Sequence, residues 1–259
     1  MQSIQLSLGQ VTRLTLIKEK IHNAFNAQMI QEIHSAFEKI ATDDKTRVVV
    51  LQAKGRSFSA GADLNWMKEM IDYSEQENIA DSKNLYDMLQ AIRNCPFPTI
   101  SRVQGSALGG GCGLIAATDI AFGIQNAKFG FTEVKLGLVP AVISPFVRDK
   151  IGLNHCRRFF LTGERFDSWT ALEIGLLNKV VESENQLDQI VDATCNEILN
   201  SSPDALKRCK NLIRGISNQS TQASREFVCK NIAEARVSKQ GQDGLQGFLN
   251  KKPMDWSKC

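Results

Sequence analysis

The sequence predicts an α/β fold with mostly parallel strands, on three observations. Strand-like apolar runs recur at 47–51, 99–103 and 119–124, and glycine-containing loops and helical patterns follow them. Arg47-Val-Val-Val-Leu51 is a near-continuous apolar run, as expected of a strand buried on both faces. The 259 residues, 42% hydrophobic and 23% charged, are enough for one large core, or a core with a smaller appendage.

The elements read in order as follows. Ile4, Leu6 and Leu8 alternate, Gly9-Gln10 turns the chain, and Val11 to Ile17 returns as the second strand of a hairpin. Asn26 is placed to cap a helix with an apolar face of Met29, Ile30, Ile33, Phe37 and Ile40. Residues 65–95 read as helical but polar, with an apolar set at Ile79, Tyr86, Leu89 and Ile92. The thin face from Lys68 to Asp81 suggests a mobile stretch near a site entrance. Pro96 and Pro98 end that helix, Thr99 to Val103 is a strand, and a helix runs from about Gly113 to Thr118. Asp119 to Ile124 is the next strand, and Lys128 to Phe131 a short extended piece. Ser202-Pro203-Asp204 starts a helix carrying Leu206, Cys209, Ile213 and Ile216, and a further helix carries Val228, Ile232 and Ala235. The chain thus divides into a core over 1–199 that holds the site and a C-terminal helical region over 200–259.

Composition excludes several functions. A net charge of +3 without long basic runs gives no footprint for nucleic acid. No window approaches the length of a membrane span, and the first six residues have neither the charge nor the apolar stretch of a signal peptide. Seven scattered cysteines, with no Cys-x-x-Cys, fit free thiols in a reducing compartment, and His22, His34 and His155 are isolated, so no metal site is expected. A cytoplasmic protein is the expectation.

Two loops carry the chemistry: Phe58-Ser-Ala-Gly-Ala-Asp-Leu64 and Gly109-Gly-Gly-Cys-Gly113. Each offers backbone N–H groups at a strand-to-helix junction. Two such donors converging on one carbonyl oxygen make an oxyanion hole, often the largest single contribution to acyl and enolate catalysis. The second loop also matches the dinucleotide pattern G-x-G-x-x-[GA], but Ile124 is followed by Gln125 and Asn126 instead of a ribose-binding acid. Close helix–strand packing is the plainer reading of those glycines. Cys112 at a helix start invites a nucleophile reading, with no basic partner to support it. Glu133, in Phe131-Thr-Glu-Val134, reads either as an exposed loop acid or as a partly desolvated carboxylate suited to proton transfer. Asp63 reads first as a helix cap.

Phe58 to Leu64, Ala107-Leu-Gly-Gly-Gly111 and Phe129-Gly-x-x-Glu133-x-x-x-Gly137-Leu-x-Pro140 together resemble the crotonase (enoyl-CoA hydratase/isomerase) superfamily. The likeness runs on to Gly241-x-x-Gly244-x-x-Gly247-Phe248-x-x-Lys251. The resemblance implies a spiral of ββα units with C-terminal helices that build a trimer or hexamer. It implies an acyl-CoA substrate, with coenzyme A as part of the substrate and no separate cofactor. The thioester oxygen is expected between the N–H groups of Ala62 and Gly110, with Glu133 as the acid/base. The adenine end is expected near Ala60, Asp63 and Leu64, helped by Lys20 and by Phe248 and Lys251 of a neighbouring subunit.

The best-known hydratases of that family carry a further glutamate at the place of Gly113, so Glu133 stands alone here. Ala62 to Met67 and Val139 to Val147 are similar to the bacterial methylglutaconyl-CoA hydratase branch. Trp66 and Met67 are expected to line the acyl pocket, or else to pack the helix they sit on. An enoyl-CoA isomerase is the alternative within the family. A weakly catalytic acyl-CoA- or RNA-binding protein is the alternative outside it.

Overall fold

The computed structural model describes residues 2–216 and 221–258. The hairpin forms as the alternation predicts. Strand β1 (Ile4–Ser7) pairs antiparallel with β2 (Val11–Leu16), Ile4 opposite Leu16. Helix α1 (Ala27–Ala41) then covers the hairpin, with the Asn26 side chain accepting the Met29 N–H and Met29, Ile30, Ile33, Phe37 and Ile40 buried.

Three consecutive units follow in which one strand joins a large sheet and the next a small one. The chain runs through β3 (Val48–Ala53), β4 (Ser57–Ser59), α2 (Leu64–Glu69) and α3 (Glu75–Asn94). It repeats with β5 (Thr99–Val103), β6 (Ser106–Leu108) and α4 (Gly110–Ala117). A third unit has β7 (Ile120–Ile124), β8 (Lys128–Gly130), a 3-10 turn at Glu133–Leu136, and α5 (Ser144–Thr162), kinked at Gly152. After β9 (Arg165–Asp167), α6 (Ser168–Glu173) and β10 (Lys179–Val181), four helices end the chain. These are α7 (Glu184–Leu199), α8 (Pro203–Ile216), α9 (Thr221–Val237) and α10 (Lys239–Leu249).

The large sheet has the order β1-β2-β3-β5-β7-β10, parallel from β2 onward. The small sheet has the order β4-β6-β8-β9, with only β9 antiparallel. Val49 and Leu51 of β3 join the main core, whereas Val48 and Val50 pack with Leu187, Val191, Cys195 and Ile198 of α7. Burial on both faces is why that strand reads as an unbroken apolar run.

Three expectations need correction. The helix over 65–95 is two helices separated by a 3-10 turn at Met70–Asp72, because Ser74 forms a capping box with Glu77 and restarts the chain. Ile79 and Tyr86 are substantially exposed, so only Leu89 and Ile92 of the named set serve the core, joined by Met88. Helix α4 begins at Gly110 instead of Gly113: a buried setting overrides the poor helix propensity of glycine.

The C-terminal helices are tied back by charge. Lys210 of α8, almost fully buried, donates to Asp119 Oδ2 at 2.6 Å and to the Phe97 carbonyl at 2.8 Å. Arg47 donates to the carbonyls of Ser201 and Trp256. Replacing Lys210 with Met should lower stability by about 2 kcal/mol, since Asp119 keeps both Thr99 donors but loses its cation. Lys230→Met, on an exposed pair, should stay within about 0.5 kcal/mol. Urea midpoints of the two variants check the difference.

Candidate active site

The first loop leaves β4 and is held from beneath by the 22–25 turn. Asn23, fully buried, donates through Nδ2 to the carbonyls of Lys54 and Ser57, and the Ser59 hydroxyl donates to the Asn23 carbonyl. The Ala60 N–H donates to the His22 carbonyl at 2.9 Å. Gly61 takes φ +87°, a conformation that favours glycine. Ala62 then forms an isolated parallel bridge with Phe25, through the Phe25 N–H to the Gly61 carbonyl and the Asp63 N–H to the Phe25 carbonyl. In such a bridge the neighbours of Ala62 make the bonds, so its own N–H is directed away from Phe25.

The second loop is tied by the Gly109 N–H to the Gly130 carbonyl at 2.9 Å, beyond the end of β6. Gly109, at φ +49°, delivers the chain into α4, whose first residue is Gly110. Neither the Ala62 nor the Gly110 N–H has an acceptor among the described residues. A Cβ added to Gly61 would lie 2.9 Å from the Leu108 carbonyl oxygen and 3.8 Å from the Gly110 nitrogen, so the two loops touch. The positive end of the α4 dipole adds to the field at Gly110. At the other end of α4, Lys150 Nζ donates to the carbonyls of Thr118 and Asp119 at 2.6 and 2.7 Å.

Glu133 completes the group. A Cβ on Gly109 would come within 2.9 Å of Glu133 Oε1, which places the carboxylate against the second loop. Oε2 is buried and has no hydrogen-bond partner among the described residues. Burial therefore raises the carboxyl above its ordinary 4.5, opposed only in part by its own backbone N–H. Of its two sequence readings, the exposed loop acid is set aside.

Other predicted residues fall differently. Asp63 is the cap of α2, its carboxylate accepting the N–H groups of Asn65 and Trp66. Trp66 is buried in the main core, with its indole N–H unpartnered among the described residues. Leu64 is exposed beside the first loop. Lys20, Ala60, Phe248 and Lys251 also lie at the surface. No side-chain hydrogen bond or ion pair ties Lys20, Phe248 or Lys251 to either loop among the described residues. Cys112 is no thiolate nucleophile. It is fully buried, donates to the Ala107 carbonyl, and its thiol is pushed up to about 12, chiefly by burial. Phe25, which orients Ala62, carries no signal in the sequence, where it is simply an apolar residue beside Asn23-Ala24.

Residues 8–258 match the family described as enoyl-CoA hydratase/isomerase. A solved chain from Legionella pneumophila is 39% identical, with a TM-score of 0.92 over 98% of both chains. A solved enoyl-CoA hydratase from Shewanella pealeana is 36% identical, with a TM-score of 0.94 over 98% of this chain and 96% of that one. The short-chain-enoyl-CoA hydratase of Clostridium acetobutylicum is 28% identical over 249 residues, 95% of this chain and 94% of its own.

A carboxyl whose pKa is raised by folding contributes stability below its unfolded value, and that contribution is lost as pH rises through the folded value. Glu133→Gln cannot ionise, so at pH 7 it should be more stable than the native protein. The gap should close below about pH 4.5, the ordinary value of the group. Urea titrations at pH 4 and pH 7 read this directly.

Proposed function

The chain belongs to the enoyl-CoA hydratase/isomerase family, and we propose that it adds water across the 2,3 double bond of a short branched enoyl-CoA. 3-Methylglutaconyl-CoA, from leucine breakdown, is the first candidate. The observation that carries the reading is the half-buried Glu133 carboxylate against the second loop, beside Ala62 and Gly110 N–H groups that have no acceptor among the described residues.

In this reading the two N–H groups take the thioester oxygen and stabilise the enolate that forms on it. Loss of one such donor costs about 10²–10³ in rate elsewhere. Water adds to C3 and gives a proton to Glu133, which returns one to C2, so the carboxylate ends as it began. One positioned acid/base supplies about 10²–10⁴. Leu64, Ala60 and Asp63 would border the coenzyme A, with Lys20 and a neighbouring subunit's Phe248 and Lys251 at its nucleotide end. Trp66 and Met67 would shape the acyl side. The exposed apolar residues Ile213, Ile232, Val237, Phe248 and Leu249 support a trimer or hexamer in which C-terminal helices are covered. The buried free thiols support a reducing, cytoplasmic setting.

Isomerisation is the second reading, and one observation favours it. Position 113 is glycine, so no side chain there can share proton transfer with Glu133. A lone carboxylate can move a proton from C2 to C4 on one face without handling water.

Steady-state assays on 3-methylglutaconyl-CoA, crotonyl-CoA and a 3-enoyl-CoA separate the two. Preference for the first substrate, with a loss of about 10²–10⁴ in kcat for Glu133→Gln, is the expected result. Turnover of the 3-enoyl substrate alone would make the protein an isomerase, and full activity in Glu133→Gln would remove Glu133 from the mechanism.

A further inference from the structure

Gly113 lies one turn after Gly109, its N–H donating to the Gly109 carbonyl at 3.1 Å as the chain enters α4. A Cβ on Gly109 would meet Glu133 Oε1 at 2.9 Å. One turn on, a Cβ added at 113 would lie 2.5 Å from Ile143 Cγ2, 3.1 Å from Ile143 Cβ and 3.6 Å from Leu89 Cδ1. Ile143 and Leu89 are 3% and 0% exposed. Ile143 also stands at the start of α5, where its carbonyl accepts the Val147 N–H at 3.0 Å and the Ser144 N–H bonds to Ala141. A β-branched side chain at an anchored helix start has little rotamer freedom with which to move aside.

We infer that Ile143 is a specificity-determining residue of the site. Its side chain fills the space beside position 113 and puts a hydrocarbon wall one helical turn beyond the glycine that meets Glu133. Proton transfer therefore rests on Glu133 alone, and an apolar branch on the acyl group is favoured on that side. This rests on the proposed enoyl-CoA site for its chemistry, but the filling of position 113 does not.

The test is a double-mutant cycle of Gly113→Ala and Ile143→Ala, with Gly113→Glu added in the Ile143→Ala background. Gly113→Ala should lower the melting temperature by about 2–10 °C through overpacking, and Ile143→Ala should recover at least half of that drop. On enzyme activity, Ile143→Ala should reduce the preference for 3-methylcrotonyl-CoA over crotonyl-CoA by about tenfold, the order of one methyl contact. Gly113→Glu with Ile143→Ala should show a second ionisation in the pH profile of kcat/KM. Additive melting shifts would overturn the filling of position 113. An unchanged preference would overturn the role in specificity, even if the glutamate variant does not fold. If the native protein turns over no enoyl-CoA at all, the proposed function fails by itself, and the melting cycle still decides where Ile143 sits.

Discussion

The site depends on the contact between two strand-to-helix loops, at Gly61 and at Leu108–Gly110. Backbone meets backbone there with no room for a side chain, as a Cβ at Gly61 would crowd the Leu108 carbonyl at 2.9 Å. That contact sets the Ala62 and Gly110 N–H groups near each other. Their separation is governed by packing, not by flexible side chains. Donors held in this way need no reorganisation when charge develops on a bound oxygen.

The rest of the fold keeps those loops in place. β4, β6 and β8 run side by side in the small sheet, and the two loops and Glu133 leave their same ends. Each of these strands follows a partner in the large sheet, so the buried runs at 48–53, 99–103 and 120–124 hold the floor of the site. Helix α4 is buried from Gly111 to Ala117, which fixes its direction and brings its N-terminal amides to the second loop. Lys150 meets the carbonyls at its far end, complementing the dipole whose positive end is at Gly110.

Burial has a cost, and Glu133 bears it. The Oε2 atom has no partner among the described residues, and desolvation favours the neutral acid. A carboxyl poised in this way both accepts and returns a proton more readily than an exposed one. Folding free energy from the two hydrophobic clusters sustains that unfavourable environment.

The sequence by itself determined the repeated strand–loop–helix order, the hairpin, the Asn26 and Pro203 helix starts and the two glycine loops. Each depends on local backbone preference or on the spacing of apolar residues. The family resemblance also singled out Glu133. What only the tertiary structure decided depends on residues far apart in the chain. Glu133 lies 24 residues after Gly109, and its place against that loop comes from the register of β6 with β8. Phe25 reaches Ala62 through a bridge that no local pattern announces. Ile143 reads as one more apolar residue until the fold sets it against Gly113. Periodicity reports which face of an element is buried, but not which element it is buried against. That follows from how the sheets close around one shared volume.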